Sequence, residues 1–404
     1  MVHRIWGLLI ALIIVPDIYI WLHYYRTRYL HNRIIRRAWW IPCAVMTVYT
    51  IGLSTIRNFA PTDLTWLNTY LFLFGIFIGP KALFAFCSWI GSALRALFHM
   101  RYNYGHRVGL AVSVLGVAAY VYGLTFGVGK IIVRHVDLPF KDLPQEFDGY
   151  RILQISDIHT GTFDGWRKKI LHAEIDSIRR QKNVDLVCFT GDMQNMRPEE
   201  VEKMMPELRR LPYMYSVLGN HDYAQYVKST PQLENSMRKK LVGLENQLGH
   251  VLLNANVPLH RKMKDGSHSK SAIWLAGEEN DARPPYPDHA NLRQTLRGIP
   301  DSAFVILLQH DPSAWRRDIL PHSTVQLTLS GHTHGGQMQI LGFRVTELTQ
   351  QEDLGLYEDH GRFLYVNAGL GGLVPFRLNM PNEITVITLH KTTNNNNLHN
   401  SKQS

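Results

Sequence analysis

Cysteine is nearly absent, with three in 404 residues. Cys43 and Cys87 lie in apolar stretches and Cys188 in a run that reads as a core strand, so no disulfide framework is encoded. Acidic residues are also short, 33 Asp and Glu against 43 Lys and Arg, which leaves a formal charge of +10. A basic excess suits nucleic acid, yet there is no basic helix with interleaved aromatics to track a phosphate backbone, and no nucleic-acid partner is expected. Much of the arginine falls between hydrophobic segments, where it reports membrane orientation instead. Apolar content is concentrated in the first third, and the length suits two or three domains. The division predicts a membrane region followed by a globular α/β domain.

Four apolar stretches, 5–24, 39–55, 67–90 and 108–128, each approach the roughly twenty residues that cross a bilayer and predict four transmembrane helices within residues 1–129. The first is no cleavable signal peptide, because its run is long and no small-residue cleavage site precedes a soluble sequence. The first connection carries Arg26, Arg28, Arg33, Arg36 and Arg37 and the third Arg95, Arg101 and Arg107, whereas the second has only Arg57 and an opposing Asp63. Arginine collects in cytoplasmic loops, so both termini should face outward. The expectation is a multi-pass inner-membrane protein whose globular domain is periplasmic or otherwise extracytoplasmic. Pro80 and Lys81 interrupt the third stretch. Asp17 and Lys81 each fall roughly twelve residues in from the outer end of a helix rising about 1.5 Å per residue, so they either pair within the bundle or each snorkel or face a water-filled gap independently.

Residues 130–148, with Pro139, Pro144 and mixed charge, read as a stalk and lead-in strand, 149–390 as the catalytic domain, and 391–404 as a disordered polar tail. Within the catalytic domain, short runs of Val, Ile and Leu alternate with helical patterns, the signal of sheets covered by helices. Five runs end in chemically active residues: 152–155 before Asp157-Ile-His159, 186–189 before Gly191-Asp192, and 214–218 before Gly219-Asn220-His221-Asp222. The others are 305–308 before His310 and 325–329 before Gly331-His332-Thr-His334. Ligands of α/β folds bind at the carboxyl ends of strands, where loops converge above a rigid sheet.

Asp157, His159, Asp192, Asn220, His310, His332 and His334 offer mixed oxygen and nitrogen ligands without thiolate, which suits two divalent ions of manganese, iron, zinc or magnesium and argues against a structural zinc. Asp-x-His and His-x-His place alternate side chains on one side of an extended backbone, and Asp192 is the best-placed bridging carboxylate. Two such ions, about 3.5–4 Å apart in known centres, lower the pKa of a bridging water and clamp a phosphoryl oxygen. With only two carboxylates among seven ligands, the centre stays positive and an anionic phosphoryl group is the matching substrate. In Gly219-Asn220-His221-Asp222, the imidazole can exchange a proton and the adjacent carboxylate can orient it.

The order Asp-x-His, Gly-Asp, Gly-Asn-His-Asp, His, Gly-His-x-His resembles the calcineurin-like metallophosphoesterase superfamily. Ser156-Asp-Ile-His159, Ser330-Gly-His-Thr-His-Gly-Gly-Gln337 and Tyr365-Val-Asn-Ala-Gly-Leu-Gly-Gly372 with Pro375 and Arg377 resemble its membrane-associated bacterial branch of YkuE- and YaeI-like phosphodiesterases. The resemblance covers about 137–389. It implies a four-layer α-β-β-α sandwich of two mixed sheets, here preceded by the helical bundle. It also implies one ion on Asp157, His159, Asp192 and His334 and the other on Asp192, Asn220, His310 and His332. His221 would protonate the leaving oxygen with Asp222 orienting it, and Asn220 and Arg377 are candidate substrate contacts, although Phe376 and Arg377 equally suit a structural loop. Where relatives have a shorter Gly-x-Asp-Asp turn, Gly277-Glu-Glu-Asn-Asp281 departs, with its effect expected on the substrate rim.

Leu233, Met237, Leu241, Leu244 and Leu248 recur at helical spacing beside Arg238, Lys239 and Lys240, which favours an ordinary core-packed helix with a solvated basic face over a membrane-leaning one. Residues 251–276 read as a hairpin turning at Lys264-Asp-Gly-Ser267. The leading reading is a membrane-anchored phosphohydrolase acting on a phosphomonoester, phosphodiester or pyrophosphate, lipid-linked or from the envelope, by two-metal hydroxide attack. A nuclease or protein phosphatase is the alternative, as is a non-catalytic receptor or transporter with a phosphatase-like binding domain.

Overall fold

A computed structural model describes residues 2–28, 32–56, 64–226, 229–263, 265–283 and 288–392. Arg57, Asp63, Lys264 and the asparagine-rich tail from 393 lie outside the described residues. Leaving aside Tyr226–Lys228, the chain divides into two compact units, Met1–Phe126 and the remainder from Gly127.

The first unit is helical. Val2–Ile20 runs through a π-helical turn, Trp21–Tyr25, to Arg28, and Arg33–Ala38 leads into Trp40–Ser54. Leu64–Leu73 passes through a second π turn, Phe74–Ile78, into Gly79–Leu97, and Gly105–Thr125 closes the unit. The wide turn just before Pro80 absorbs the missing amide donor, so the interrupted stretch continues as one helical path. Ile5–Tyr25, Leu64–Leu97 and Gly105–Gly129 are long and apolar enough to cross a membrane. Trp40–Ser54 has 15 residues, short of the roughly twenty that span straight; length supports three of the four expected spans.

Asp17 is fully buried, and its carboxylate lies 2.8 Å from Lys81 Nζ. That ammonium also sits 4.7 Å from the centre of the Trp39 ring. Small residues let the last two helices touch: a Cβ on Gly91 would come 2.5 Å from Gly105 Cα, the close approach that packs helices where water gives no hydrophobic drive.

The second unit is built on strands. In chain order these are β1 (Ile131–Phe140), β2 (Tyr150–Ile155), β3 (Leu186–Phe189), β4 (Met214–Ser216), β5 (Gly249–Val251), β6 (Ala255–Leu259) and β7 (Ile273–Gly277). There follow β8 (Val305–Leu308), β9 (Leu327–Ser330), a small hairpin of β10 (Gln339–Ile340) and β11 (Phe343–Arg344), then β12 (Gly355–Asp359), β13 (Arg362–Val366) and β14 (Asn382–Lys391). One sheet has the order β1-β14-β2-β3-β4-β5 and the other β12-β13-β9-β8-β7-β6. Both are mixed: β2, β3, β4 and β5 pair in parallel, as do β7, β8, β9 and β13, while β14 against β2 and β6 against β7 are antiparallel.

Strand periodicity makes four layers out of two sheets. Ile152, Leu186 and Cys188 on one sheet pack with Leu275, Ile306, Leu308 and Leu329 on the other, while the alternate residues Leu153, Val187 and Phe189 face outward. Onto that outer face pack Ile175 and Ile178 of helix Lys168–Arg179, Val201 and Leu208 of Pro198–Leu208, and Leu241 and Leu244 of Pro231–Glu245. Val305, Leu307 and Leu364 face the opposite way and receive Trp315 and Ile319. Every second side chain thus faces one layer and the next faces another. Within the stretch read as a stalk and lead-in strand, Ile131–Phe140 is strand: β1 pairs along its whole length with β14, and Leu138 and Phe140 enter the inter-sheet core. Lys240 of the basic helix pairs with Glu199 and Glu202, consistent with its core-packed reading.

Candidate metal centre

The five strands β2, β3, β4, β8 and β9 lie side by side in the two sheets, and the loops at their carboxyl ends meet. Asp157, His159, Asp192, His332 and His334 all adopt positive φ, from 48° to 73°. Left-handed backbone at five non-glycine residues is costly and persists where surrounding structure over-determines it. Two glycines make the approach possible: a Cβ on Gly331 would sit 1.9 Å from Ser156 Oγ, and one on Gly219 would sit 2.2 Å from Asp192 Oδ1.

Six expected ligand side chains fall into two groups, Asp157, His159 and His334, and Asp192, His310 and His332, whose ligand atoms lie within 4.8 Å of one another. Asp192 Oδ2 stands between them, 3.4 Å from His159 Nε2 and 3.3 Å from His310 Nε2. On one side His334 Nε2 is 3.4 Å from Asp157 Oδ1. On the other, Asn220 Oδ1 is 3.0 Å from His310 Nε2 and 2.7 Å from His332 Nδ1. All seven residues expected from the sequence are therefore brought together.

The electrostatics fit cations. Both ring nitrogens of His159 and Nδ1 of His334 are buried without a hydrogen-bond partner, an arrangement that is expensive unless something else takes the lone pairs. Burial pulls both imidazoles down to about 3, so they are held neutral, the form that ligates a metal. Burial also disfavours charge on His310, but the Asp192 carboxylate overrides it and pushes the imidazole up to about 10. His310 Nδ1 donates to the Thr190 carbonyl at 2.6 Å, which turns Nε2 toward the centre.

His221 lies against the centre, its ring 4.8 Å from that of His159, and its Nδ1 donates to the Asn195 carbonyl at 2.6 Å. The orienting group is therefore a backbone oxygen, not the Asp222 carboxylate. Asp222 instead accepts the backbone N–H groups of Asp192, Met193, Gln194 and Gly219 at 2.8, 3.0, 3.3 and 2.8 Å. It ties the Gly-Asp loop to the Gly-Asn-His-Asp loop. Sequence reasoning missed Asn195, because a main-chain acceptor leaves no mark on residue identity; the run Gly191-Asp-Met-Gln-Asn195 is the only trace.

Arg377 does not face the mouth of the site. It is 1% exposed and its guanidinium donates to the carbonyls of Gly369 and Gly371, at 3.1 and 2.7 Å, beneath the glycine-rich loop. The departing segment Gly277-Asp281 is likewise no rim: Glu278 accepts from Gln309 at 2.8 Å, Glu279 from Tyr223 at 3.1 Å, and Asp281 pairs with Arg317. Those carboxylates are buried and buttress the loops from behind.

Residues 3–128 match the model described as "Probable Calcineurin-like phosphoesterase, transmembrane domain", and 150–336 match that of the calcineurin-like phosphoesterase domain. The metallophosphoesterase YkuE of Bacillus subtilis is 33% identical over 261 residues, which are 62% of this chain and 82% of that one. The chain belongs to the calcineurin-like phosphoesterase family. A zebrafish (Danio rerio) transmembrane protein with a metallophosphoesterase domain is 31% identical to this phosphoesterase over 296 residues, 69% of the present chain and 62% of the zebrafish one. The UDP-2,3-diacylglucosamine pyrophosphatase LpxG of Chlamydia trachomatis is 26% identical over 301 residues, 61% of this chain and 86% of that protein. The phosphoesterase is thus a membrane protein with a metallophosphoesterase domain carrying Asp and His clusters able to hold metal.

Proposed function

We propose that this phosphoesterase uses two divalent cations, of manganese, iron, zinc or magnesium, to hydrolyse a phosphomonoester, phosphodiester or pyrophosphate bond in a lipid-linked or envelope substrate. The observation that carries the reading is Asp192 Oδ2 standing almost equally far from His159 and His310, 3.4 and 3.3 Å, with a further ligand group on each side. One cation would rest on Asp157, His159, Asp192 and His334, the other on Asp192, Asn220, His310 and His332. Bound there, the two would acidify a water and neutralise the phosphoryl oxygens during displacement.

The chain's own residues do the rest. With Nδ1 committed to Asn195, His221 exchanges protons through Nε2 and donates to the departing oxygen. Burial lowers its basicity, so the protonated form gives up its proton readily. The Asn220 amide faces the same centre and orients the phosphoryl group. Arginine in the first and third connections supports an extracytoplasmic catalytic unit, and the activity in the chlamydial relative's name, on a lipid-bearing nucleotide sugar, supports a lipid-linked substrate.

The test is hydrolysis of bis-p-nitrophenyl phosphate with manganese, with metal content measured on the same sample. His221→Ala is expected to keep its metals and lose about 10²- to 10⁴-fold in turnover, the usual worth of a general acid. Asp192→Ala is expected to lose both. Full metal occupancy in Asp192→Ala would overturn the bridging role.

A further inference from the structure

The loop leaving His334 carries the hairpin of β10 and β11 and then a helical turn, Val345–Leu348. Ile340, Leu341, Phe343, Val345 and Leu348 are all exposed, Leu341 completely, at 103%, and Leu348 at 73%. Five large apolar side chains in nine residues exceed the scatter of single apolar residues that any surface shows. Leu341 also holds a φ of +51°, beside Gly342 at +86°, in a two-residue turn where asparagine or glycine is usual. A leucine in that conformation with its side chain in water gains nothing from the second unit itself.

The hairpin is nonetheless held firmly. Asp353, 2% exposed, accepts from Arg344 Nε and Nη2 at 2.7 and 3.1 Å, Thr346 Oγ1 at 2.9 Å and Tyr357 OH at 3.1 Å. Its backbone carbonyl accepts from the hydroxyl of Thr333, which lies between His332 and His334. The base of the hairpin and the candidate ligand loop are therefore tied together through Asp353.

Position within the second unit supplies the partner. The last apolar helix ends at Thr125, and the chain enters this unit at Gly127, so the bilayer surface is only a few residues, at about 3.5 Å each, from Val128. Val128 lines one small cavity with Thr162, Arg167, Gln337 and Phe376. From that wall, Gln339 N donates to the Leu378 carbonyl at 2.9 Å, and Asn379 Nδ2 to the Gln339 carbonyl at 3.2 Å, which carries the contact straight into the hairpin. On the neighbouring loop Trp166 is 50% exposed, with Arg167 and Lys169 at 5.8 and 5.4 Å from its ring, the pairing of tryptophan and cations typical of headgroup depth.

We infer that the hairpin of β10 and β11 dips into the lipid bilayer, with Trp166 at headgroup level, and holds the mouth of the metal centre against the membrane surface. The site then takes a phosphoester whose apolar part stays in the lipid. That consequence rests on the phosphohydrolase reading above; the membrane contact does not.

The test uses the full chain with Leu341→Cys in a Cys87→Ala background, since Cys43 and Cys188 are buried. The protein is nitroxide-labelled and reconstituted into vesicles of phosphatidylcholine and phosphatidylglycerol. Accessibility to oxygen and to a water-soluble nickel chelate is read by electron paramagnetic resonance. The reference is His360→Cys, whose side chain is 96% exposed in the turn between β12 and β13. Oxygen access with nickel access severalfold below the reference is the expected result. Nickel access equal to the reference overturns the inference, and so does spin–spin broadening, which would mean that a second copy covers the hairpin. Hydrolysis of soluble bis-p-nitrophenyl phosphate reads the metal centre independently, so its absence counts against the phosphohydrolase reading and leaves the membrane contact to the label.

Discussion

Asp222 and Glu278 are both buried carboxylates, and they do different work. Asp222 is a staple for four backbone amides. Asp222→Asn turns an acceptor into a partial donor facing N–H groups, and a loss on the order of 1–3 kcal/mol is expected. The pH profile of turnover should keep its shape, because His221 is oriented by the Asn195 carbonyl; a displaced profile, measured on bis-p-nitrophenyl phosphate, would restore Asp222 as the orienting group. Glu278 is 1% exposed, and burial raises its carboxyl from 4.5 to about 7. A carboxyl raised on folding contributes stability that is complete below about pH 4.5 and disappears as pH climbs through about 7. That contribution is on the order of 3 kcal/mol, and Glu278→Gln should flatten the corresponding segment of the stability curve from denaturant titrations.

Among helices and strands, length and alternation decide most of what forms, and neighbours decide the exceptions. Strand runs ending in Asp, Asn or His are legible because burial on both faces demands unbroken apolar residues and ligand chemistry demands the polar break. β1 is less legible, since its charged and proline-bearing sequence acquires a partner only when β14, some 250 positions away, lies beside it. In the bundle, Asp17 and Lys81 come from two helices whose paths each contain a π turn near the charge. Removing either partner leaves a buried charge, a loss of about 3–5 kcal/mol in buried pairs. Asp17→Lys with Lys81→Asp together should recover the expression lost in each single variant; equal failure of the double variant would show that the two charges act separately.

Taken as a molecule, the phosphoesterase comprises a helical unit, Met1–Phe126, and an α-β-β-α unit that begins at Gly127. Orphaned nitrogens on His159 and His334 are places that bound cations would fill under the proposed function. A chelator should therefore lower its unfolding temperature, and manganese at about one hundred times its dissociation constant should return roughly 2.7 kcal/mol, followed by calorimetry; an unchanged transition would deny the centre its ions. Amino-acid order alone was enough to locate the apolar helices, the five strand ends and all seven ligand candidates, because each depends on residue type and local spacing. Only the folded chain could place Arg377 beneath a loop, give the orientation of His221 to a carbonyl, and turn Leu341 toward solvent. Those outcomes depend on which distant backbone atoms come within a few ångströms, and nothing in local spacing encodes that distance.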